Sequence, residues 1–195
     1  RQLFEYCNSK DITYLCTPWD SSSLEFLEAM GVLAYKVASA DLTNIPLIEL
    51  LIQTQKPLIL STGMSTTEEI RFTSSVLDKA NAEYAFLHCN STYPAPLEDI
   101  NLSWIGELKK IHATVGYSGH ERGISVTMAA VVMGISIIER HFTLDRNMEG
   151  PDHAASLECD EFSRLVEGVR QVEAALGSAN EERPLSQGEM INREN

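Results

Sequence analysis

Short apolar runs alternate with longer amphipathic stretches along the 195-residue chain. The apolar runs have the length and composition of β-strands buried on both faces, which is typical of parallel α/β sheets. We predict six such strands, at 12–17, 35–39, 57–62, 84–90, 113–118 and 135–142. The amphipathic stretches predict helices between them, at 22–30, 46–54, 67–80 and 160–176, the last of which ends at Gly177.

The spacing of the predicted strand ends is that of a repeating β/α unit. A (β/α)₈ TIM barrel takes about 250 residues, so a chain of this length accommodates about six units. A doubly wound open sheet is the alternative, but no G-x-G-x-x-G follows an early strand. We therefore predict an α/β fold with about six units of a barrel over residues 1–177. Ser65 and Glu68 are the expected capping box of the helix that begins near Thr67.

Composition narrows the class of protein. With 44% hydrophobic and 22% charged residues, the chain has the composition of a globular domain, and its apolar runs are shorter than the roughly 20 residues of a membrane span. The net charge of −13 argues against a nucleic-acid partner. The first residues do not resemble a secretory signal, and the four cysteines are dispersed, which together favour a reducing cytoplasm. The polar tail, 178–195, contains Pro184 and Gly188 and is expected to be a linker.

Polar residues gather where the predicted strands end, which is where barrel enzymes build their active sites. The candidate binding residues are Ser39, Ser61, Asn90, Ser91, Tyr93 and Ser118. A single serine at a strand end is usually a turn residue, but repetition at strand after strand favours a shared pocket. Small hydroxyls and backbone N–H groups, as in 61–63, are suited to phosphate.

Two histidines and a carboxylate are predicted to converge beside these hydroxyls. Glu139 and His141 are two residues apart in one strand and point to the same face, whereas Arg140 points to the other. His120 ends the neighbouring strand, so the two imidazoles could bind a divalent metal. A Gly-Pro turn would carry Asp152 over the same mouth, although a turn-forming role for this aspartate is equally open. We expect His88 to be a core residue or to support the site from behind, and His112 to be solvated.

Six segments together resemble the sialic acid synthase family, which includes N-acetylneuraminate, legionaminate and pseudaminate synthases. The segments are 36–44 (KVASADLTN), 60–64 (LSTGM), 88–96 (HCNSTYPAP), 116–120 (GYSGH), 138–143 (IERHFT) and 150–153 (GPDH). They occur in the family's order and spacing. The resemblance implies a synthase that condenses phosphoenolpyruvate with an N-acylated amino sugar, releases phosphate and uses a divalent metal, Mn²⁺ or Mg²⁺.

The resemblance also implies roles for individual residues. Ser39, Ser61 and Ser118 match positions that hold the phosphate, and His120 and His141 match the metal-binding histidines. Tyr93, Glu139 and Asp152 match residues around the sugar, with Glu139, His141 and Asp152 as the expected catalytic residues. Gly119 stands where the family often has Asp, and the family's phosphate-binding Asn is replaced by Ser91, with Asn90 adjacent; either residue could make that contact.

The resemblance further implies what surrounds this part of the enzyme. Six units correspond to strands 3 to 8 of the family's barrel, and the tail corresponds to a linker towards a small C-terminal antifreeze-like domain. The resemblance also implies a homodimer for the full-length enzyme. Two alternatives are a synthase acting on a phosphorylated sugar, as in ketodeoxyoctonate-type enzymes, and a binding homologue without turnover.

Overall fold

The computed structural model describes residues 1–177 and 183–194. Its centre is a parallel five-stranded sheet with the strand order β1-β2-β3-β4-β5. The strands are β1 (Tyr35–Val37), β2 (Leu58–Ser61), β3 (Tyr84–Cys89), β4 (Val115–Gly119) and β5 (Ile138–Arg140). Each strand pairs with the next strand along the chain, so the order never reverses as it does in a doubly wound sheet. The sheet is curled like half of a barrel.

Five of the six predicted strands are present, and the prediction for 12–17 was wrong. Only Cys16 of this segment pairs with the sheet, opposite Tyr35. The side chains of Ile12 and Leu15 remain exposed, so the burial that would stabilise a strand here is lacking. The last predicted strand, 135–142, is also shorter than expected, because the chain leaves β4 after Arg140 and Phe142 pairs instead with Leu157.

Helices connect the strands and cover the sheet. They are α1 (Gln2–Ser9), α2 (Ser21–Met30), α3 (Ile45–Gln53), α4 (Thr67–Lys79), α5 (Trp104–Ile111), α6 (Ser125–Val132), α7 (Cys159–Leu176) and α8 (Gln187–Glu194). All four predicted helices are confirmed to within one residue, and Gly177 adopts the positive φ that lets it end α7. No helix among the described residues is long and apolar enough to cross a membrane.

The capping box of α4 lies one residue later than predicted. Thr66 is the N-cap and accepts from the backbone N–H of Glu69, whose side chain accepts from the N–H of Thr66. Ser65 instead donates to the carbonyl of Gly63. The cause is the preceding turn, in which Met64 has a φ of 60° and delays the start of the helix.

The core lies between the sheet and its helices. Tyr35, Leu58, Phe86 and Tyr117 on four adjacent strands are all essentially buried. A second cluster forms where α7 packs on α6, with Val131, Leu157, Leu165 and Val169 at its centre. These core contacts do not occupy the carboxyl ends of the strands, where a functional site can therefore form.

The predicted linker contains α8, whose residues are exposed apart from the half-buried Glu189. Positions 178–182 and 195 of that segment lie outside the described residues. A role for this segment as a linker therefore stays a prediction.

Candidate active site

A cavity of about 530 Å³ opens at the carboxyl ends of the five strands. Nine predicted site residues line it: Ser39, Ser61, Ser91, Tyr93, Ser118, His120, Glu139, His141 and Asp152. Thr17, Trp19, Lys36, Met64 and Cys89 contribute to its walls. The cavity therefore brings together residues up to 135 positions apart in sequence, from Thr17 to Asp152.

Asn90 is the predicted site residue whose side chain does not reach this cavity. Its amide donates to the carbonyl of Asp99, and its Oδ1 accepts from the N–H of Thr92. The backbone carbonyl of Asn90 instead lies 2.6 Å from His120 Nδ1. Of the two residues considered for one phosphate contact, Ser91 is the one on the cavity wall.

Lys36 is a site residue that the sequence interpretation did not single out. Its Nζ donates to Ser61 Oγ at 2.8 Å and to the carbonyl of Val37 at 2.9 Å, and it lies 3.6 Å from Glu139 Oε2. Burial lowers the pKa of Lys36, and the nearby Glu139 carboxylate opposes that shift. The available signal was a lysine in a short, otherwise buried strand, where a charged side chain needs a partner.

Ser39, Gly63 and Ser91 meet at the wall next to Lys36. The backbone N–H of Gly63 donates to Ser39 Oγ at 3.1 Å. A Cβ at position 63 would clash with the hydroxyls of Ser91 and Ser39, so only glycine lets these groups approach so closely. Ser91 Oγ is buried and has no hydrogen-bond partner among the described residues. Such a small polar wall, with an unsatisfied hydroxyl, is suited to an oxygen-rich ligand.

Glu139 links this wall to the histidines. Its Oε1 accepts from Ser118 Oγ at 2.8 Å, and its Oε2 faces Lys36. The Glu139 side chain is 36% exposed, so part of the carboxylate remains open to the cavity. The carboxylate is thus oriented by a hydroxyl on one side and a cation on the other.

His120 and His141 lie edge to face, with ring centroids 5.0 Å apart and planes at 75°. Burial lowers the pKa of both histidines, and for His141 the neighbouring His120 lowers it further. Both imidazoles are therefore neutral near pH 7, which is the form that binds metals.

Tyr93 closes the histidine side of the cavity. Its ring centroid lies 4.1 Å from that of His120 and 5.5 Å from that of His141. Burial, reinforced by nearby acidic groups, raises the pKa of Tyr93 to about 12, so the phenol keeps its proton and can donate a hydrogen bond. Asp152 Oδ2 lies 3.9 Å from His141 Nδ1 at the more exposed rim.

The paired histidines fit a metal that keeps open coordination positions. The contact of His120 Nδ1 with a backbone carbonyl is the usual arrangement that fixes an imidazole and leaves Nε2 for the ion. Within 1–177 and 183–194, no group of three or more His, Cys, Asp or Glu side chains is arranged to hold a metal. An ion here would therefore take its other ligands from water and substrate oxygens, as in many catalytic sites.

The remaining histidines lie outside the cavity. His88 is buried, with Nε2 at 2.7 Å from the carbonyl of Ile100, which confirms its place in the core. The prediction that His112 is solvated was wrong, because its ring stacks on Tyr84 and its Nε2 contacts the Tyr84 carbonyl at 2.8 Å.

Three comparisons place these features among known proteins. The chain is 39% identical to the N,N'-diacetyllegionaminic acid synthase of Campylobacter jejuni, over 98% of this chain and 59% of that protein. It is also 39% identical to human N-acetylneuraminate-9-phosphate synthase, over 91% of this chain and 50% of that protein. The chain therefore spans about half the length of these curated relatives.

The fold is also similar to that of a solved protein structure. The crystal structure of the N-acetylneuraminic acid synthetase of Leptospira borgpetersenii, in complex with citrate, superimposes with a TM-score of 0.91 at 36% identity. The match covers 98% of this chain and 68% of that one. The NeuB family model matches residues 1–181, which contain every residue of the cavity, and the chain therefore belongs to the NeuB family.

Proposed function

We propose that the complete protein condenses phosphoenolpyruvate with an N-acylated amino sugar to give a nonulosonic acid and inorganic phosphate. The observation that carries the proposal is the cavity itself, in which a lysine and a serine-rich wall adjoin two neutral histidines. The first set suits a phosphorylated anion, and the second suits a metal-assisted carbonyl site. The names of the relatives support the same chemistry.

Phosphoenolpyruvate would lie along the wall formed by Lys36, Ser39, Ser61, Ser91 and Ser118. Lys36 supplies a cation that the overall negative chain otherwise lacks at this point, and the serines and the Gly63 region supply short polar contacts. The buried, unpaired hydroxyl of Ser91 gains a partner when an oxygen anion binds. This arrangement binds phosphate by local groups rather than by a basic surface.

His120 and His141 would hold the divalent metal, Mn²⁺ or Mg²⁺. When bound, the ion supplies Lewis-acid polarisation of the sugar aldehyde. Tyr93, which keeps its phenolic proton, and Asp152 flank the two imidazoles and would contact sugar hydroxyls or the acyl amide. The amino sugar is thus placed at the histidine side and phosphoenolpyruvate at the lysine side.

Carbon–carbon bond formation then joins C3 of phosphoenolpyruvate to the aldehyde carbon, whose oxygen takes up a proton. Water adds to C2 and loses a proton, and the bond between C2 and the phosphate-bearing oxygen then breaks. The departing phosphate takes up the proton of the new C2 hydroxyl, which leaves a ketone. Glu139, held between Ser118 and Lys36, is positioned to orient that water and accept its proton. No phosphoryl group passes to the sugar.

A phosphorylated amino sugar is the second candidate acceptor, because the human relative is named a 9-phosphate synthase. Arg122 and Arg146 line a separate cavity of about 390 Å³. Arg146, however, is paired there with Glu158 and Glu161, which neutralises much of its charge. The lining of the candidate cavity, as far as the structure describes it, holds no lysine or arginine besides Lys36, which favours an acceptor without phosphate.

Phosphate release by the complete protein tests the proposal. Phosphoenolpyruvate and Mn²⁺ would be supplied with a panel of N-acylated hexosamines, each with and without a terminal phosphate. We expect release that depends on an unphosphorylated acceptor. Release only with phosphorylated sugars would favour the second candidate, and binding of phosphoenolpyruvate without release from any sugar would identify a non-catalytic homologue.

We also propose an architecture, an oligomeric state and a cellular compartment for the complete protein. The five-stranded sheet would be part of an eight-stranded barrel in the complete protein, which would work in the cytoplasm as a homodimer. The four cysteines are all free in the structure, which agrees with a reducing compartment.

A further inference from the structure

A buried ion pair lies behind the histidine side of the cavity. Glu121 and Arg140 have side chains that are 1% and 0% exposed, and Arg140 Nη1 donates to Glu121 Oε1 at 2.9 Å. The same Nη1 donates to Thr127 Oγ1 and to the carbonyl of Gly123, and Nη2 donates to the carbonyl of Glu121. The other carboxylate oxygen of Glu121 accepts from the hydroxyl of Tyr117.

These two residues are the immediate chain neighbours of the groups that form the site. Glu121 follows His120, and Arg140 lies between Glu139 and His141. Because side chains alternate along a strand, Arg140 points away from the cavity while its two neighbours line it. The ion pair and the two imidazoles therefore occupy opposite sides of the same two chain segments.

The ion pair also acts where the sheet itself stops holding these segments together. The ladder between β4 and β5 ends with Gly119 opposite Arg140, so His120 and His141 lie just beyond it. Past that point, the contacts of the Arg140 guanidinium with the carbonyls of Glu121 and Gly123 join the two segments. The rigid fork of arginine fixes both distance and direction, which a flexible lysine ammonium does not.

We infer that Arg140 and Glu121 are positioning residues that set the separation of His120 and His141. The inference deepens the proposed function, since it rests on the two imidazoles acting as a pair. Neither residue touches substrate or metal, and each acts through the backbone of the histidine beside it. Groups that hydrogen-bond directly to a metal ligand typically change metal affinity about 10- to 100-fold when they are replaced, and we expect an effect of the same order from residues that fix the backbone of the ligand.

The test compares Arg140→Lys and Glu121→Gln with Leu108→Ala in the complete protein. Leu108 is buried in α5, does not line the cavity and makes no hydrogen bond to the ion pair, so its truncation destabilises the fold while leaving the contacts of Arg140 and Glu121 in place. Mn²⁺ affinity is measured by calorimetric titration, and stability by denaturant unfolding. We expect the first two variants to lose about 10- to 100-fold in Mn²⁺ affinity and Leu108→Ala to retain the wild-type affinity.

A second readout needs no metal. The two imidazole rings are close enough for a nuclear Overhauser effect between their ring protons, which we expect to vanish in Arg140→Lys and to persist in Leu108→Ala. If Arg140→Lys does not fold, Thr127→Val decides, because it removes only one hydroxyl from the network and is expected to weaken Mn²⁺ binding by about 10-fold.

Two outcomes separate this inference from the proposed function. Absence of Mn²⁺ binding by the wild-type protein would count against the metal site, while the ring contact would still report on the positioning role. Retention of that contact in Arg140→Lys, or in Thr127→Val where the former does not fold, would overturn the inference. So would an affinity loss no greater than that of Leu108→Ala.

Discussion

At the residue scale, the cavity depends on side chains whose surroundings are unusual for their type. Lys36 is a cation with only 14% of its side chain exposed, held by Ser61 and facing Glu139. Ser91 has a buried hydroxyl without a partner among the described residues. Groups of this kind mark the place where a ligand completes the polar contacts.

Replacing Lys36 by Met tests the anion-binding wall. We expect a higher KM for phosphoenolpyruvate, by about 30-fold, since a hydrogen bond to a charged group contributes about 2 kcal/mol and 1.4 kcal/mol is tenfold. The KM for the sugar would change much less. Lys56→Met is the matched control, because Lys56 pairs with Glu28 and does not line the cavity. Equal losses for both substrates, or the same loss in the control, would contradict the assignment.

His88 gives a pH prediction. Burial lowers the pKa of His88 in the folded state below the ordinary histidine value of about 6.5, although its contact with the Ile100 carbonyl opposes the shift. Below about pH 6.5 the unfolded chain therefore binds a proton that the folded chain does not, so stability falls as the pH falls. His88→Gln would flatten that slope by up to about 1.4 kcal/mol per pH unit. Denaturant unfolding at several pH values measures it, and an unchanged slope would refute the prediction.

Much of the site was predictable at this scale, because strand-end hydroxyls and histidines stand out in the sequence. Lys36 was harder to predict, because a lone lysine in a short buried strand signals that it needs a partner but not which side of the sheet it faces. From sequence, either Asn90 or Ser91 could make one of the phosphate contacts. Only the fold reveals that Asn90 turns towards Asp99 and presents its carbonyl to His120.

At the element scale, the sequence indicates roughly where α4 begins but not which of two adjacent residues is its N-cap. Ser65 and Thr66 each have a glutamate three residues later, so both satisfy the capping-box pattern. The turn at Gly63 and Met64 decides between them, because Gly63 must approach Ser39 and Ser91 before the helix starts. A long-range contact at the site thus fixes a local boundary.

Two alanine substitutions distinguish the two possible N-cap residues. Thr66→Ala is expected to lower the free energy of unfolding by about 1 kcal/mol, since it removes the N-cap acceptor of Glu69 N–H. Ser65→Ala, the matched control, is expected to change it by no more than about 0.5 kcal/mol. Denaturant unfolding gives both values. The reverse ranking would restore the capping box first predicted for Ser65 and Glu68.

The same scale explains the lost strand at 12–17. Its apolar and β-branched composition favours a strand, but strand stability depends on packing against neighbours on both sides. In the structure this segment has β1 on one side, and only Cys16 pairs with it. Composition therefore indicated a tendency to form a strand, but the segment lacks a second neighbouring strand that would stabilise it.

At the scale of the whole molecule, the five strands form an uninterrupted parallel sheet with β1 and β5 at its edges. Exposed edges of this kind invite association. Phe142 and Leu144, next to β5, are 53% and 79% exposed, which adds apolar surface near one edge. The periodicity of the sequence predicted the fold class and the positions of the helices. It could not predict whether the sheet closes into a barrel, because closure depends on contacts between residues far apart in sequence.

The isolated 195-residue chain is expected to be inactive and to associate, because the proposed eight-stranded barrel needs three strands besides the five of the sheet. One of them would form from the segment 12–17, of which only Cys16 now pairs with β1, and the other two require two further β/α units. Extending it at the N-terminus by about 60 residues of the natural protein, two units' worth, is expected to give a compact fold. Light scattering and phosphate release compare the two chains. A monodisperse, monomeric 195-residue chain with steady phosphate release would require a different closure of the sheet.

The most direct test of the proposed condensation is product analysis with ¹³C-labelled phosphoenolpyruvate, an N-acylated amino sugar and the complete protein. We expect one labelled acid with the combined mass of the sugar and pyruvic acid, formed together with phosphate and abolished in His120→Ala and His141→Ala variants that remain folded. Labelled pyruvate alone, a phosphorylated sugar, or undiminished product from both histidine variants would contradict it.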